Sequence, residues 1–179
     1  MQGAVAMQRL TDFASSVDSI IWKECRRKAT VTNESTDAGG LTKYGISKRA
    51  NPDLDIADLT LEEVEQCYKD RYWKLIRGDA LPIQIAHFVF DCAVNQGVGT
   101  AVKLMQRTLG VTADGAIGTK TLAAAMNCNV DDFLDEFCAL RAKRYAENSK
   151  EQIEANGKGW FRRLVNTYNE CKTGMVIKK

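Results

Sequence analysis

Apolar residues recur every three or four positions along most of the chain, the spacing that gathers them on one side of an α-helix. Met7, Leu10, Phe13, Ala14, Val17, Ile20 and Ile21 keep that period and predict a first amphipathic helix whose apolar face continues to Glu24. The period then stops. Thr30, Val31, Thr32, Asn33, Ser35, Gly39 and Gly40 favour extended and turn conformations, so a polar loop and a small hairpin are expected, with Tyr44, Gly45, Ile46 and Ser47 as the return strand. Asn51 to Asp58 reads as a loop. Thr60 and Glu63 have capping-box spacing ahead of a helix with Leu61, Val64, Tyr68, Tyr72 and Leu75 on one face, stopping by Gly78.

Pro82 suits the first turn of the next helix. Its broad stripe of Ile85, Phe88, Val89, Cys92 and Ala93, ending near Gly97, marks the expected central buried helix. A short helix around Val102, Met105 and Leu109 closes at Gly110, a turn follows at Asp114-Gly115, and Thr119 is the expected cap of a helix through Met126. Asn129 caps a longer helix carrying Val130, Phe133, Leu134, Phe137 and Leu140 toward Tyr145, and a last helix carries Trp160, Phe161, Leu164, Tyr168 and Cys171. Arg141, Lys143, Arg144, Lys158, Arg162 and Arg163 fall between the apolar positions and read as a solvated basic face. Lys172 to Lys179 reads as a frayed tail. The expected fold is mainly α, with a small β-hairpin or loop after the first helix and a helical second lobe, divided as residues 1–96 and 97–179.

Composition narrows the class. With 45% hydrophobic and 27% charged residues and only two prolines, this is the make-up of an ordinary helical globular protein. No apolar run approaches the roughly 20 residues of a membrane span, and the N-terminus lacks the apolar core of a signal peptide, so a cytoplasmic start and no stable membrane association are expected. The formal charge of +2, from 25 basic and 23 acidic residues, argues against nucleic acid and is compatible with an anionic wall polymer. The cysteines at 25, 67, 92, 128, 138 and 171 form no C-x-x-C pair and read as reduced, buried thiols. His87 is the single histidine. Without a second ligand of its kind a zinc site is disfavoured, and neither metal nor cofactor is expected.

The candidate chemistry lies in Glu24 to Ser47. A carboxyl at the edge of an apolar face is partly desolvated, which favours the protonated form a general acid needs. Asp37, in a polar segment, is expected to be solvated and ionised. Two carboxyls in unlike surroundings are the equipment of glycoside hydrolysis. Gly39 and Gly40 let the backbone approach a substrate closely, and the Thr42 hydroxyl can orient a water. Gly40, Tyr44, Tyr72 and Asn95 are the candidate substrate contacts. For Tyr68, Tyr72 and Trp73, core packing and sugar stacking both fit, as do a substrate contact and a helix-end hydrogen bond for Asn95.

Glu24, the run DAGGLTKYGIS, and the later YKDRYWKLIRGDALP, FDCAVNQG and LMQRTLGVTADGAIGTKTLAAA resemble the glycoside hydrolase 108 family, in order and over nearly the whole chain. That resemblance implies a lysozyme-like fold, a phage or prophage endolysin with N-acetylmuramidase activity, and an adjoining peptidoglycan-binding segment. It implies peptidoglycan as partner, Glu24 as acid, and Asp37 and Thr42 as the pair that holds the attacking water, an arrangement similar to that of small phage lysozymes. A monomer is expected, made in the host cytoplasm and acting on the periplasmic wall once the membrane is permeabilised. The chain departs from the family in one place: Cys25 and Arg26 stand where the family has a glycine pair, followed by a longer basic stretch, so Glu34 competes with Asp37 for the place of second carboxylate. A catalytically impaired wall-binding protein of the same fold is the alternative reading.

Overall fold

The computed structural model describes residues 6–25, 41–49 and 51–177. The segment expected to be a polar loop, with Glu34, Asp37, Gly39 and Gly40, lies outside them. Helix α1 spans Phe13–Cys25. It begins later than the apolar period suggests because Asp12 and Ser15 cap it reciprocally: the Ser15 amide donates to the Asp12 carboxylate at 2.9 Å, and Ser15 Oγ accepts from the Thr11 and Asp12 amides at 2.9 and 3.0 Å. Met7 is therefore no part of the helix. It opens strand β1 (Met7–Arg9), which pairs antiparallel with strand β4 (Met175–Ile177) at the far end of the chain. The tail expected to fray is thus ordered through Ile177: Gly174, at φ 66°, turns the chain out of the last helix, and its carbonyl accepts from the Leu10 amide at 2.8 Å.

A two-stranded hairpin follows, β2 (Thr42–Lys43) with β3 (Ile46–Ser47). Tyr44 and Gly45 form its turn rather than its return strand, both in the left-handed region, at φ 52° and 78°. Helix α2 (Leu61–Tyr68) has the capping box of Thr60 and Glu63. It then widens into a π turn over Lys69–Trp73, closed by Lys74 N donating to Lys69 O at 2.9 Å. One extra residue in the turn rotates everything after it about the axis. Trp73 swings into the core and Leu75, expected on the buried face, is 57% exposed.

Helices α3 (Ile83–Gln96), α4 (Val98–Thr108), α5 (Thr119–Asn127), α6 (Val130–Ala146) and α7 (Lys150–Thr173) complete the chain. Gly118, not Thr119, stands at the cap of α5, with no side-chain hydrogen bond. Asn129 caps α6 by accepting from the Asp132 amide, and a Ser149–Gln152 capping box, which the apolar pattern does not reveal, starts α7 ten residues before Trp160. Between α4 and α5 the buried Gln106 side chain organises the loop, donating to Asp114 at 2.7 Å and to the Ala116 carbonyl at 3.0 Å and accepting from the Gly115 amide at 2.8 Å.

Helix α3 is the centre: Ile85 through Ala93 are all buried. Around it a single hydrophobic core draws Val17, Ile20 and Ile21 from α1, Val64 and Tyr68 from α2, Met105 from α4, Phe133 and Phe137 from α6 and Leu164 from α7. The mainly α, lysozyme-like architecture with a small hairpin is the one the sequence implied. No described helix is long and apolar enough to cross a membrane.

Candidate active site at the end of the first helix

Glu24 sits in the last turn of α1, one turn beyond the buried Ile20 and Ile21. Its surroundings are not the apolar edge expected. Arg163 of α7 donates from Nη1 to Glu24 Oε1, with the two side chains only 12% and 23% exposed. From the other side the hairpin turn closes in, for a Cβ on Gly45 would stand 3.4 Å from both Cβ and Cγ of Glu24. The left-handed backbone favours glycine there, and so does Tyr68 Oη, which would stand 2.9 Å from the added Cβ. Tyr68 Oη fixes the turn by donating to the Tyr44 carbonyl at 3.0 Å.

Thr42 lies in this hairpin, paired in register with Ser47. Tyr44 contributes its carbonyl to the Tyr68 hydrogen bond, and its ring has Lys43 Nζ at 5.9 Å. Tyr72 stands beside Tyr68, ring centroids 5.7 Å apart. Its phenol is pushed up, by burial first and then by the charges of Cys67 and Glu24. A small cavity of about 60 Å³ runs between the hairpin and the π turn, lined by Gly45, Ser47, Tyr68, Arg71 and Tyr72 among others. Glu24, Thr42, Tyr44 and Tyr72 are thus gathered around one hairpin. Asp37 and Gly40 lie outside the described residues.

Asn95 does not join this group directly. It accepts a short hydrogen bond from Tyr145 Oη and lines a separate depression with Gln96, Arg144, Tyr145, Asn148 and Trp160. Trp73 belongs to the core, its indole donating to Asp79 at 2.7 Å.

Behind Glu24 lies a buried ionic network. Asp91 of α3 accepts from Arg163 Nε and from Arg141 Nη2, each at 2.9 Å, with Lys23 Nζ at 3.5 Å. Lys23 also reaches Glu170 at 2.5 Å and Thr167 at 2.8 Å, and Glu170 accepts from Ser19 at 2.7 Å and faces His87 Nε2 at 3.0 Å. Arg141 and Arg163 are therefore not part of a solvated basic face. Four cationic or imidazole groups converge on two carboxylates, the pairing that makes buried charge tolerable. The signal for both arginines is in the sequence: Arg141 falls four residues from Phe137 and from Tyr145, on the apolar stripe itself, and Arg163 precedes Leu164 within the stripe of α7. No described group of His, Cys, Asp and Glu is arranged to hold a metal ion.

Chemically the site offers one partly exposed carboxyl on a rigid helix end, a fixed cation against it and a hydroxyl on the facing hairpin. Residues 18–97 match the family model of Glycosyl hydrolase 108, and residues 100–165 match that of a Predicted Peptidoglycan domain. A solved structure described as that of Brucella abortus SagA is 27% identical, with a TM-score of 0.77, over 90% of this chain and 94% of that one. No curated protein matches the chain. The two family matches describe a glycoside hydrolase that acts on peptidoglycan.

Proposed function

From a glycosyl hydrolase 108 segment joined to a peptidoglycan-domain segment, we propose that this protein is an endolysin-type N-acetylmuramidase, hydrolysing the β-1,4 bond between N-acetylmuramic acid and N-acetylglucosamine and so causing host lysis. The observation that carries the reading is Glu24 at the end of α1, held by Arg163 and faced by the hairpin that bears Thr42. Glu24 protonates the leaving glycosidic oxygen. A second, ionised carboxylate, Asp37 or Glu34 of the segment that precedes the hairpin in sequence, works with Thr42 to hold and activate the water that attacks the anomeric carbon. Gly40, Tyr44, Tyr72 and Asn95 are the proposed glycan contacts.

In this reading residues 1–96 form the catalytic lobe and residues 97–179 a wall-binding lobe that packs on it and reaches back with Arg163. The enzyme is a monomer, made in the host cytoplasm, that meets the periplasmic wall after membrane permeabilisation. Mass spectrometry of digested peptidoglycan tests the bond assignment. New reducing ends on N-acetylmuramic acid are expected; N-acetylglucosamine, anhydro-sugar or free-peptide ends would overturn it. Binding to permeabilised cells without loss of turbidity would instead mark the catalytically impaired wall binder.

A further inference from the structure

Arg163 is shared between two carboxylates. Its Nη1 donates to Glu24 and its Nε to Asp91 Oδ1 at 2.9 Å. Asp91 in turn is fixed: its side chain is fully buried in the middle of α3, and its second oxygen accepts from Arg141 at 2.9 Å. A guanidinium facing Glu24 alone would act as its full counter-ion and favour the ionised form, which has no proton to give. One divided between two anions holds each less strongly.

We propose that Asp91 is a positioning residue for the glycosidase reaction, fixing Arg163 against Glu24 while drawing part of the guanidinium's charge away from it. This rests on the function proposed above. Among the described residues, Arg163 from α7 and Tyr72 from the π turn face Glu24. Those facing Asp91 are Lys23 from α1, Arg141 from α6, Arg163 from α7 and His87 from its own helix. Burial alone would raise the Asp91 carboxyl, but Arg163, Lys23 and Arg141 outweigh it and hold it far below the usual carboxylate range, so its charge persists at every pH where the enzyme works. Charge buried in this way is screened little by solvent or salt.

The test compares the wild type with Asp91→Asn, Arg163→Lys and the double variant, measuring kcat and KM against pH on soluble peptidoglycan fragments. In Asp91→Asn the cations lose a counter-charge and Arg163 turns wholly to Glu24. The basic limb of the activity profile should move to lower pH, with kcat at neutral pH falling about tenfold and KM unchanged. In Arg163→Lys the planar fork whose separate Nε and Nη1 donors span Asp91 and Glu24 is lost, and kcat should fall comparably. The double variant should lose little more than either single one, because both changes break one unit.

A purely structural Asp91 would lower the melting temperature and leave the basic limb and kcat of folded enzyme as in the wild type; that result overturns the inference. Should Asp91→Asn not fold, Arg163→Lys decides alone: wild-type kcat and profile overturn the inference, and lost kcat at unchanged KM sustains it. A wild-type protein that cleaves no glycan defeats the function and this inference with it. Cleavage that vanishes in Glu24→Gln but is indifferent to Asp91 and Arg163 defeats only the inference.

Discussion

Gly45 packs against Glu24 and Tyr68 together: an added Cβ would lie 3.4 Å from the glutamate's Cβ and Cγ, at the edge of ordinary contact, and 2.9 Å from Tyr68 Oη, too close to stand without a shift. Gly45→Ala should therefore do two things. Forcing an L side chain to φ 78° should cost about 1–2 kcal/mol of stability. Displacing the turn should also lower kcat even at temperatures where the variant is folded. Thermal melting and activity at low temperature separate the two, and wild-type values in both would refute the contact.

Glu24→Gln removes the proposed proton donor and keeps its shape. Activity on peptidoglycan should vanish, while melting stays close to wild type because Arg163 retains Asp91 as a partner. Substantial residual cleavage by a folded variant would dismiss Glu24 as the acid.

The two acidic candidates and Thr42 should rank in a definite order. Asp37→Asn should cost activity and abolish the acidic limb of a bell-shaped profile, whereas Thr42→Ala, which only loosens a water, should cost less than either carboxylate change. If Glu34→Gln is the damaging substitution and Asp37→Asn is close to wild type, Glu34 is the second carboxylate.

Acid should weaken the fold in two stages. Burial lowers His87 from its ordinary 6.5, more than the Glu170 hydrogen bond raises it. The unfolded chain then binds more protons below that value, so stability is full above about pH 6.5 and falls as pH drops toward the lower folded value. Burial raises the Glu170 carboxyl, but hydrogen bonds from His87 and Lys23 and their charges bring it below its ordinary 4.5, so its contribution is full above that value and is lost on further acidification. Calorimetry from about pH 7 downward should show a melting temperature that starts to fall before the carboxylates titrate. His87→Gln should remove that first stage, and a wild-type melting temperature constant between about pH 7 and about pH 5 would contradict it.

The thiols should label slowly in the native protein. Burial raises all five described ones, Cys92 to about 11 and Cys171 further. Alkylation without reductant at neutral pH should spare Cys92 and Cys171 until the protein is unfolded, when all six cysteines react. Stable disulfides in freshly purified protein would overturn the reading of reduced structural thiols.

Most helices, two of their caps and the central apolar segment were legible in the sequence, because each depends on contacts within a few residues. Thr60 with Glu63, Asn129 with its helix, and the buried stripe of Ile85, Phe88, Val89, Cys92 and Ala93 follow from local spacing alone, whereas the burial of His87 and Asp91 on the same helix does not. The place of Glu24 at the end of its helix follows from the same spacing. The π turn was hidden because one inserted residue leaves the residue types unchanged while it exchanges Leu75 for Trp73 in the core. The β1–β4 ribbon was hidden because it joins Met7 to Ile177.

The electrostatics of the site were decided by tertiary structure. Arg163 meets Glu24 across 139 residues and Asp91 across 72, and Lys23 meets Glu170 across 147. No periodicity reaches that far. The sequence determined that two arginines and an aspartate would ride on apolar helix faces, where unpaired charge is too costly to persist. Only the packing of α1, α3, α6 and α7 determined which charge neutralises which, and so placed a cation rather than an apolar surface beside Glu24.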